Sequence, residues 1–512
     1  MSIARPSLAA VRTEEPNFEQ LLAAQLRHAP WLGLSLLAHG LVLTVIAMLP
    51  PPPRPGERVL TSYVPLAQDL PETPAENQPP PEPRADEPQL PLPQPTELAD
   101  QPATDGQEGS ADAAALDPSA FDSGRNDTGP VSAHAGTGWS TPLGLGGGAA
   151  SGGGRPGRKG KAGGRAAENL AIHAGLRWLA RHQDDDGKWD ADEFMKHDRE
   201  GQRCDGPGNA VHDVGLTGLA LLAFLGDGHT LRSGTYQETV RKGVSWLKDQ
   251  QQENGLLGSN ASHDFVYDHA IATLALCEAC GLSAHKTLRP IVQRALGYLS
   301  AHKNPYGVWR YQPRDGDNDT SVTCWAVLAY KSAKDFHFAV DERVFADTLV
   351  WLDQMTDPAT GRCGYSRRGE PSSRKPGAHA TRFPPEKGEA MTGAALFCRV
   401  LLGQKPEQVA CMRPAVQTLA AKPPRWVEDG SIDHYAWYYS TYALYQLGGK
   451  AWQDWSKALH EAVVKTQRQD GNFHGSWDPR CVWGEDGGRV YSTAMLVLTL
   501  EAYYRYARVL VR

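Results

Sequence analysis

The stretch HAGLRWLARHQDDDGKW, residues 173–189, contains the pattern that decides the fold. Apolar residues recur at helical spacing up to Trp178, and Gln183 follows shortly after them. Gly187 and Trp189 then mark a turn that carries an aromatic side chain. This spacing predicts an amphipathic helix that ends in a turn. Such a unit needs a partner that covers its apolar face.

The same pattern returns along the rest of the chain. A second copy, KGVSWLKDQQQENG, spans residues 242–255, and Lys303 stands where the third copy would have its glutamine. The remaining markers are Tyr298 and Gly307 in the third copy, Trp351 and Gly361 in the fourth, Leu419 in an eroded fifth, and Gln467 and Gly471 in the sixth. A repeat of this length indicates units that stack to form one continuous core.

Between the copies lie segments rich in small and apolar residues, which predict a second helix in each repeat. These helices are expected to begin near Asp213, Asp268, Asp319, Glu389, Asp433 and Val490. Six helical hairpins can close a ring, in which small residues let the inner helices approach closely. Aspartate is also a good N-cap, so the simplest interpretation of the four aspartates is a capping role.

The recurring motif, K/R-G/A-x-x-aromatic-Leu-x-x-x-Gln-x-x-x-Gly-x-Trp, resembles the QW repeat of squalene–hopene cyclases. The helix pairs resemble the superfamily that those cyclases share with protein prenyltransferases, and the resemblance covers nearly all of residues 166–512. It implies an all-α fold, an (α/α)6 toroid of six helical hairpins with a central cavity. A shared fold does not by itself imply shared chemistry.

Squalene–hopene cyclases start their reaction with an acid in an Asp-x-Asp-Asp-Thr-Ala motif, and the candidate here is DGDNDTS, residues 315–321. When the motif is aligned on Asp319, Asn318 occupies the position of the proton donor, and an amide cannot donate that proton. Asp315 and Asp317 could be displaced substitutes. Asp317 and Asp319 therefore stay candidate catalytic residues, although a standard class II cyclase is not expected.

Prenyltransferases of this superfamily bind zinc through an Asp-x-Cys pair at one inner-helix start and a histidine at another. No Asp-x-Cys stands at the starts here, and Cys277 and Cys280 form a CxxC without a second pair, so no metal site is predicted. No cofactor is expected, while a divalent metal remains an open alternative. Asp433 and His434 are candidate catalytic residues as an acid–base or metal-binding pair.

Aromatic and charged residues gather at the starts of the third, fifth and sixth inner helices. The candidate residues for a ligand-binding cavity are Trp309, Arg310, Tyr311, Tyr435, Trp477, Arg489 and Tyr491. Aromatic faces with a few polar groups suit a partly apolar ligand, such as a prenyl chain, a glycan or a peptide segment. The alternative is that most of these rings pack between helices.

Residues 31–49, WLGLSLLAHGLVLTVIAML, contain no Asp, Glu, Lys or Arg. At 1.5 Å per residue a helix of this length spans ~28 Å, close to the hydrocarbon thickness of a bilayer. We expect a single transmembrane helix after a cytoplasmic tail at residues 1–30. A slight excess of arginine before the helix favours an inner-membrane protein whose C-terminal domain lies outside the cytoplasm, in the periplasm.

His39 lies in the middle of this predicted helix, and Ser35 precedes it by one turn on the same face. The tail, the helix and the proline-rich segment after it resemble the N-terminal module of TonB-type energy transducers. This resemblance implies that Ser35 and His39 contact a proton-driven motor complex in the inner membrane. A simple anchor that tolerates a neutral imidazole is the alternative.

The segment between the predicted membrane helix and the toroid lacks the large apolar residues of a core. From 51 to 100, fifteen of fifty residues are proline, which predicts an extended, acidic, disordered stalk over residues 50–123. Residues 124–165 are glycine-rich and predict a flexible linker. The net charge of −7 gives no reason to expect a nucleic-acid partner.

Two functions remain in competition. The leading hypothesis is a membrane-anchored toroid module that binds a ligand or a partner at the cell envelope. The alternative is an enzyme, a lyase, cyclase or transferase that acts on an isoprenoid or a carbohydrate in the central cavity. The missing cyclase acid and the missing zinc pair favour binding.

Overall fold

The computed structural model describes residues 166–305 and 307–505, together with Gly40 and Thr44. The chain divides into two compact units, Met1–Ala115 and Leu116–Arg512. Apart from Gly40 and Thr44, the predicted tail, transmembrane helix, stalk and linker lie outside the described residues. The same holds for the predicted motor contacts at Ser35 and His39.

The described part of the second unit is built from helices, with no β-strand among its residues. In chain order they are α1 (Ala166–Arg181), α2 (Asp213–Gly226), α3 (Gln237–Asp249), α4 (Phe265–Leu282), α5 (Arg289–His302), α6 (Thr320–Asp335), α7 (Arg343–Met355), α8 (Ala378–Arg382), α9 (Ala390–Leu401), α10 (Met412–Ala420), α11 (His434–Leu447), α12 (Gly449–Val463), α13 (Gly484–Leu500) and α14 (Ala502–Arg505). Gly488 has a non-helical φ of 64° inside α13, so the regular part of that helix begins at Arg489.

Six of these helices form a closed inner ring in the order α2, α4, α6, α9, α11 and α13. Each contacts the next, and α13 returns to contact α2. The outer helices pack on them, α3 on α2, α5 on α4, α7 on α6, α10 on α9, α12 on α11 and α1 on α13. The described residues therefore form the all-α (α/α)6 toroid that the repeat predicts.

The inner and outer helices differ in how many of their residues are buried, as their sequences predict. The inner helix α6 buries every residue from Thr320 to Ala333. The outer helix α3 buries only a stripe at three- and four-residue spacing, formed by Val240, Gly243, Val244 and Leu247. A helix that is apolar on all sides belongs inside a core, whereas an amphipathic helix faces solvent on one side.

The repeated glutamine ties neighbouring outer helices together. Gln183 Nε2 donates to the carbonyl oxygens of Gly187 at 2.8 Å and of Thr239, in the next outer helix, at 3.0 Å. Gln467 Nε2 repeats this at the end of the chain, because it donates to Ala171 O of α1 at 2.8 Å. The sixth repeat is therefore joined to the first by the same kind of glutamine–carbonyl hydrogen bond, and this bond closes the ring.

Lys303 makes the corresponding connection in the third repeat. Its ammonium lies 2.7 Å from Asp347 Oδ2 in α7, the next outer helix. An ion pair here replaces the amide–carbonyl bond of the glutamine repeats. The departure from the motif therefore preserves the contact between neighbouring repeats.

The repeated tryptophan fixes the turn in three of the six hairpins. Trp189, Trp309 and Trp477 are fully buried. Each indole N–H donates to a carbonyl of the preceding outer helix: Leu179 O at 2.8 Å, Leu299 O at 2.9 Å and Val463 O at 2.7 Å. A buried indole needs such a partner, so these side chains hold the turn against its helix.

One described helix, α4, is long and apolar enough to cross a membrane by composition. Most of its residues are buried among the other helices of the inner ring. This is the environment of a core helix. The eight cysteines are all free, and every one except the partly exposed Cys411 is buried, which is the usual environment of a thiol that packs as a small apolar side chain.

Candidate functional site

The starts of five inner helices each carry an acidic residue. Because every inner helix follows an outer helix in the same hairpin arrangement, these starts lie at one end of the ring. The acids are Asp213, Asp268, Asp319, Glu389 and Asp433, and all are buried. Burying an ionised carboxylate is costly unless a partner compensates its charge.

Four of these acids have a basic partner within hydrogen-bond distance. The pairs are Asp213 with Lys188 Nζ at 2.7 Å, Asp268 with His212 Nδ1 at 3.1 Å, Glu389 with Arg362 Nη2 at 2.6 Å and Lys422 Nζ at 2.7 Å, and Asp433 with Arg374 Nη2 at 3.1 Å. Burial nevertheless raises the pKa of Asp268 to about 6. These starts are electrostatically compensated.

Asp319 is the exception among the five. Its side chain is fully buried, and Oδ1 accepts a bond from Val322 N at 2.8 Å while Oδ2 accepts one from the Tyr365 hydroxyl at 3.0 Å. Its nearest cation, Arg310 Nε, is 3.8 Å away. Burial raises the pKa of this carboxyl to about 7. At neutral pH the Asp319 carboxyl is therefore protonated in a large fraction of the molecules.

A chain of phenols leads from Asp319 towards the surface. The Tyr365 hydroxyl is hydrogen-bonded to the Tyr311 hydroxyl, and Tyr311 is partly exposed. The guanidinium of Arg310 lies over both rings, 5.3 Å from the Tyr311 centroid and 5.5 Å from the Tyr365 centroid. We call these four residues the α6 rim group. It connects a buried acid to a surface that a ligand can reach.

The predicted capping role is confirmed for two of the four aspartates. Asp319 and Asp433 occupy the N-cap positions of α6 and α11 and accept bonds from Val322 N and Ala436 N at 2.8 and 2.9 Å. The prediction is wrong for Asp213, which is the first residue of its helix and accepts from a loop nitrogen instead. It is also wrong for Asp268, because α4 begins three residues earlier.

The candidate acid–base pair of Asp433 and His434 is not assembled in the described structure. Asp433 faces Arg374, whereas His434 is fully buried and stacks on Trp426 at 5.5 Å between ring centroids. Neither ring nitrogen of His434 has a hydrogen-bond partner among the described residues. Burial lowers the pKa of His434 to about 3. The imidazole is therefore neutral at ordinary pH.

The third candidate acid, Asp317, lies on the surface. Its side chain is 58% exposed and forms an ion pair with Arg310. Asn318, aligned with the cyclase proton donor, accepts a bond from Val308 N at 2.8 Å. The segment before α6 is therefore organised around Asn318 and Asp319, while Asp317 holds the rim arginine from outside.

The predicted cavity residues fall into different environments. Trp309 and Trp477 belong to the turns described above. Arg489 is fully buried and lies 2.8 Å from Asp478, while Tyr491 is 9% exposed and its hydroxyl has no partner among the described residues. Arg310 and Tyr311 alone of the seven predicted residues belong to the α6 rim group.

Aromatic side chains cross the interior of the ring. Helices α6 and α11 are separated by α9 in the ring, yet Trp325 of α6 stacks on Tyr438 of α11 with centroids 5.9 Å apart. About one helical turn nearer the helix starts, Ser321 and the Tyr435 hydroxyl are hydrogen-bonded at 2.8 Å. Trp325, Tyr438 and Tyr435 are all buried. Part of the interior between α6 and α11 is therefore occupied by the protein's own rings.

Two residues of these helix starts, Tyr365 and Arg374, were not predicted from the sequence. Tyr365 has a signal that the repeat could supply. In the third repeat Tyr311 stands two residues after the turn tryptophan, and Cys363 occupies the corresponding turn position of the fourth repeat, where its N–H bonds an inner-helix threonine as Trp309 N does. Counting two residues onward gives Tyr365. Arg374 lies in a loop outside the repeat, and no sequence pattern marks it.

Neither a protein-family model nor a curated relative matches the sequence. Among solved structures, the chain is similar to the GH76 α-mannanase from Bacteroides thetaiotaomicron (10% identity, 68% of this chain and 98% of that one, TM-score 0.45). It is also similar to the type II terpene cyclase MstE from Scytonema (15%, 65% and 97%, 0.42) and to an α-amylase from Clostridium perfringens (10%, 65% and 98%, 0.43). Likenesses this remote carry no information about function, and they give no support to the TonB-type resemblance.

Proposed function

We propose that the toroid is a ligand-binding module whose binding surface is the α6 rim group. The observation that carries this proposal is the contrast between an interior that aromatic rings cross and a partly exposed rim. Trp325 and Tyr438 take up part of the interior, which disfavours a long isoprenoid chain at that depth. The rim offers two phenol rings and a guanidinium, which suit a ligand with an apolar face and a polar group.

An unused donor supports a polar contact at the rim. Arg310 Nε is buried and has no hydrogen-bond partner among the described residues. A buried donor without a partner is costly, and an acceptor atom on a ligand would remove that cost. Arg310 is thus the anchor for an oxygen of the ligand, and the ring of Tyr311 is the surface on which its apolar face stacks.

The envelope location belongs to the same proposal and rests on the sequence of residues 31–49. Under this proposal the protein is a single-pass inner-membrane protein, and the stalk holds the toroid in the periplasm. A contact of Ser35 and His39 with a proton-driven motor would let such a module respond to membrane energisation. Reporter fusions after Arg512, active only outside the cytoplasm, test this orientation, and an inactive reporter would overturn it.

Binding is tested on the full chain purified in detergent, with farnesol and a panel of soluble oligosaccharides as probes. For any probe that the wild type binds, Arg310→Met and Tyr311→Ala should each weaken binding about tenfold or more, equivalent to about 1.4 kcal/mol. The matched control is Arg343→Met, because Arg343 is an exposed arginine of α7 that also pairs with an aspartate. Unchanged affinity in both rim variants would overturn the proposal.

A second candidate function is favoured by the full burial of Asp319, which raises the pKa of its carboxyl to about 7. A carboxyl that keeps its proton near neutral pH can act as a general acid. When protonated it donates to the Tyr365 oxygen instead of accepting from it, Tyr365 then donates to Tyr311, and Tyr311 gives its proton to a bound substrate. In that case Asp319→Asn should keep probe binding while it abolishes conversion of the probe, followed by mass spectrometry. Conversion that survives the substitution would exclude this role.

A further inference from the structure

Three side chains with metal-binding atoms meet between the first and second helices. His182 directly follows α1, and Asp198 and Cys204 lie in the loop that leads to α2. One imidazole nitrogen, one carboxylate oxygen and the thiol sulfur all lie within 4.8 Å of one another. His182 and Cys204 are 1% and 5% exposed, and the Asp198 side chain is 2% exposed. None of the three belongs to the α6 rim group.

Both ring nitrogens of His182 face oxygen atoms, and a neutral imidazole cannot donate to both. Nδ1 lies 2.8 Å from Trp178 O, and Nε2 lies 3.1 Å from Asp198 Oδ1. A neutral imidazole has one N–H and one lone pair. If Nδ1–H donates to Trp178, the lone pair of Nε2 points at a carboxylate oxygen. A cation between Nε2 and the carboxylate turns this repulsion into coordination.

The surroundings hold the three groups in place. Trp178 stacks on the imidazole with ring centroids 4.1 Å apart, and Cys204 N donates to Asp198 Oδ2 at 2.6 Å. A bond from Nδ1–H to a backbone carbonyl is the usual support of a metal-binding histidine, because it fixes the tautomer and aims the other nitrogen at the metal. The buried site is thus oriented without any further rearrangement of the ring.

We propose that His182, Asp198 and Cys204 bind one divalent metal ion, and that zinc is the metal whose chemistry fits them. Imidazole, carboxylate and thiolate are all zinc ligands, and a mixed set of this kind is poor for calcium or magnesium. One carboxylate and one thiolate balance the charge of the ion. Three protein ligands leave a fourth tetrahedral position for a water or a ligand atom.

The site lies at the seam where the ring closes. Its loop is tied to the sixth repeat by Asn472, which accepts a bond from Arg199 N at 3.0 Å and donates to Arg199 O at 2.9 Å. Farther along the loop, Asp205 pairs with the buried Arg489 of α13. A metal ion at His182 would fasten this loop to α1 and so strengthen the contact between the first and last repeats.

The experiment measures metal on the full chain, purified in detergent and reconstituted with zinc. The wild type should hold one zinc per chain, and Asp198→Asn and Cys204→Ser should each weaken zinc binding about tenfold or more. Cobalt in place of zinc should give a thiolate-to-cobalt absorption band that Cys204→Ser removes. The matched control is the double variant Cys277→Ser and Cys280→Ser, which alters the CxxC and should leave zinc binding unchanged.

Three outcomes would overturn the proposal. They are a wild type that takes up no zinc, zinc that is retained with unchanged affinity by both site variants, and zinc that is lost only with the CxxC cysteines. A wild type without zinc would mean that His182 and Asp198 form only an ion pair. Should Cys204→Ser not fold, Asp198→Asn carries the test, since its amide oxygen can still accept the bond from Cys204 N. Circular dichroism of each variant verifies the helical fold.

Discussion

Helices α6 and α11 both begin with a buried aspartate N-cap, but only one of the two aspartates lies against a cation. Asp319 and Asp433 are buried N-caps with bond lengths of 2.8 and 2.9 Å to the helix. Asp433 meets Arg374 at 3.1 Å, and both of these side chains are 2% exposed. Asp319 meets a phenol, and its nearest cation is 3.8 Å away. One helix start therefore holds a buried ion pair and the other a carboxyl that can keep its proton.

The difference arises from the loops rather than from the helices. Arg374 is fixed in the interior by further bonds from its guanidinium to Ser373 O at 2.8 Å and Phe383 O at 3.2 Å. Arg310 lies at the surface, with its side chain 23% exposed, and is held outward by Asp317. The loops thus assign different chemistry to two equivalent positions of the repeat.

The largest effect is expected when the ion pair is broken. Asp433→Asn keeps the cap but leaves the buried guanidinium of Arg374 without its counter-charge, which typically costs about 3–5 kcal/mol. Asp319→Asn, the matched substitution at the other start, keeps the cap and leaves no buried charge unpaired, so it should not destabilise the fold at pH 7. Chemical denaturation of both variants measures the difference.

The double variant Asp433→Asn and Arg374→Met isolates the cause of that loss. If the cost of Asp433→Asn comes from the unpaired guanidinium, removing both charges should recover part of it. No recovery would mean that the cap itself dominates at α11.

A second effect of a few kcal/mol should depend on pH. The folded-state pKa of Asp319 is about 7 against an ordinary value of 3.8. Its neutral form therefore stabilises the fold fully below about pH 4, and this stabilisation is lost as the pH rises through 7. At 1.36 kcal/mol per unit the loss is roughly 2–4 kcal/mol. Asp319→Asn should remove this part of the pH dependence.

Other groups titrate in the same range, and the comparison removes them. Burial raises the pKa of Asp268 to about 6, and its partner His212 also has a raised pKa. Both are present in the wild type and in Asp319→Asn, so they cancel in the difference of melting temperatures at each pH. A difference that stays constant from pH 4 to 8 would show that Asp319 is ionised throughout.

A smaller effect is expected at the phenol. Tyr365→Phe removes the hydroxyl that donates to Asp319 at 3.0 Å, which should cost about 1 kcal/mol. The lost bond favoured the carboxylate, so the pKa of Asp319 should rise further, and the pH-dependent loss of stability should become larger and extend to higher pH. Tyr439→Phe is the control, because the buried Tyr439 hydroxyl has no partner among the described residues. It should be neutral or slightly stabilising.

The sequence repeat predicted most of the fold and little of the candidate site. Helix starts at Asp213 and Val490 could be predicted because apolar periodicity and small residues repeat in every unit. The two caps could be predicted because capping is a local interaction. Arg374 could not be predicted, since it reaches Asp433 from a loop whose path no local pattern records. The residues of the proposed metal site could not be predicted for the same reason, because Asp198 and Cys204 lie in an irregular loop.

The smallest effect on stability is expected at Asp317, and it sharpens the comparison most directly. Asp317 is 58% exposed, so Asp317→Asn should change the free energy of unfolding by less than about 0.5 kcal/mol. The substitution releases Arg310, whose Nε is already 3.8 Å from Asp319. A closer guanidinium favours the carboxylate, so the pKa of Asp319 should fall, and the pH-dependent loss of stability should become smaller and end at lower pH. Asp315→Asn is the control, because Asp315 bonds the backbone of Asp317 and not Arg310. An unmoved pH profile in Asp317→Asn would show that the position of Arg310 does not depend on Asp317, and the contrast with Asp433 would then rest on burial alone.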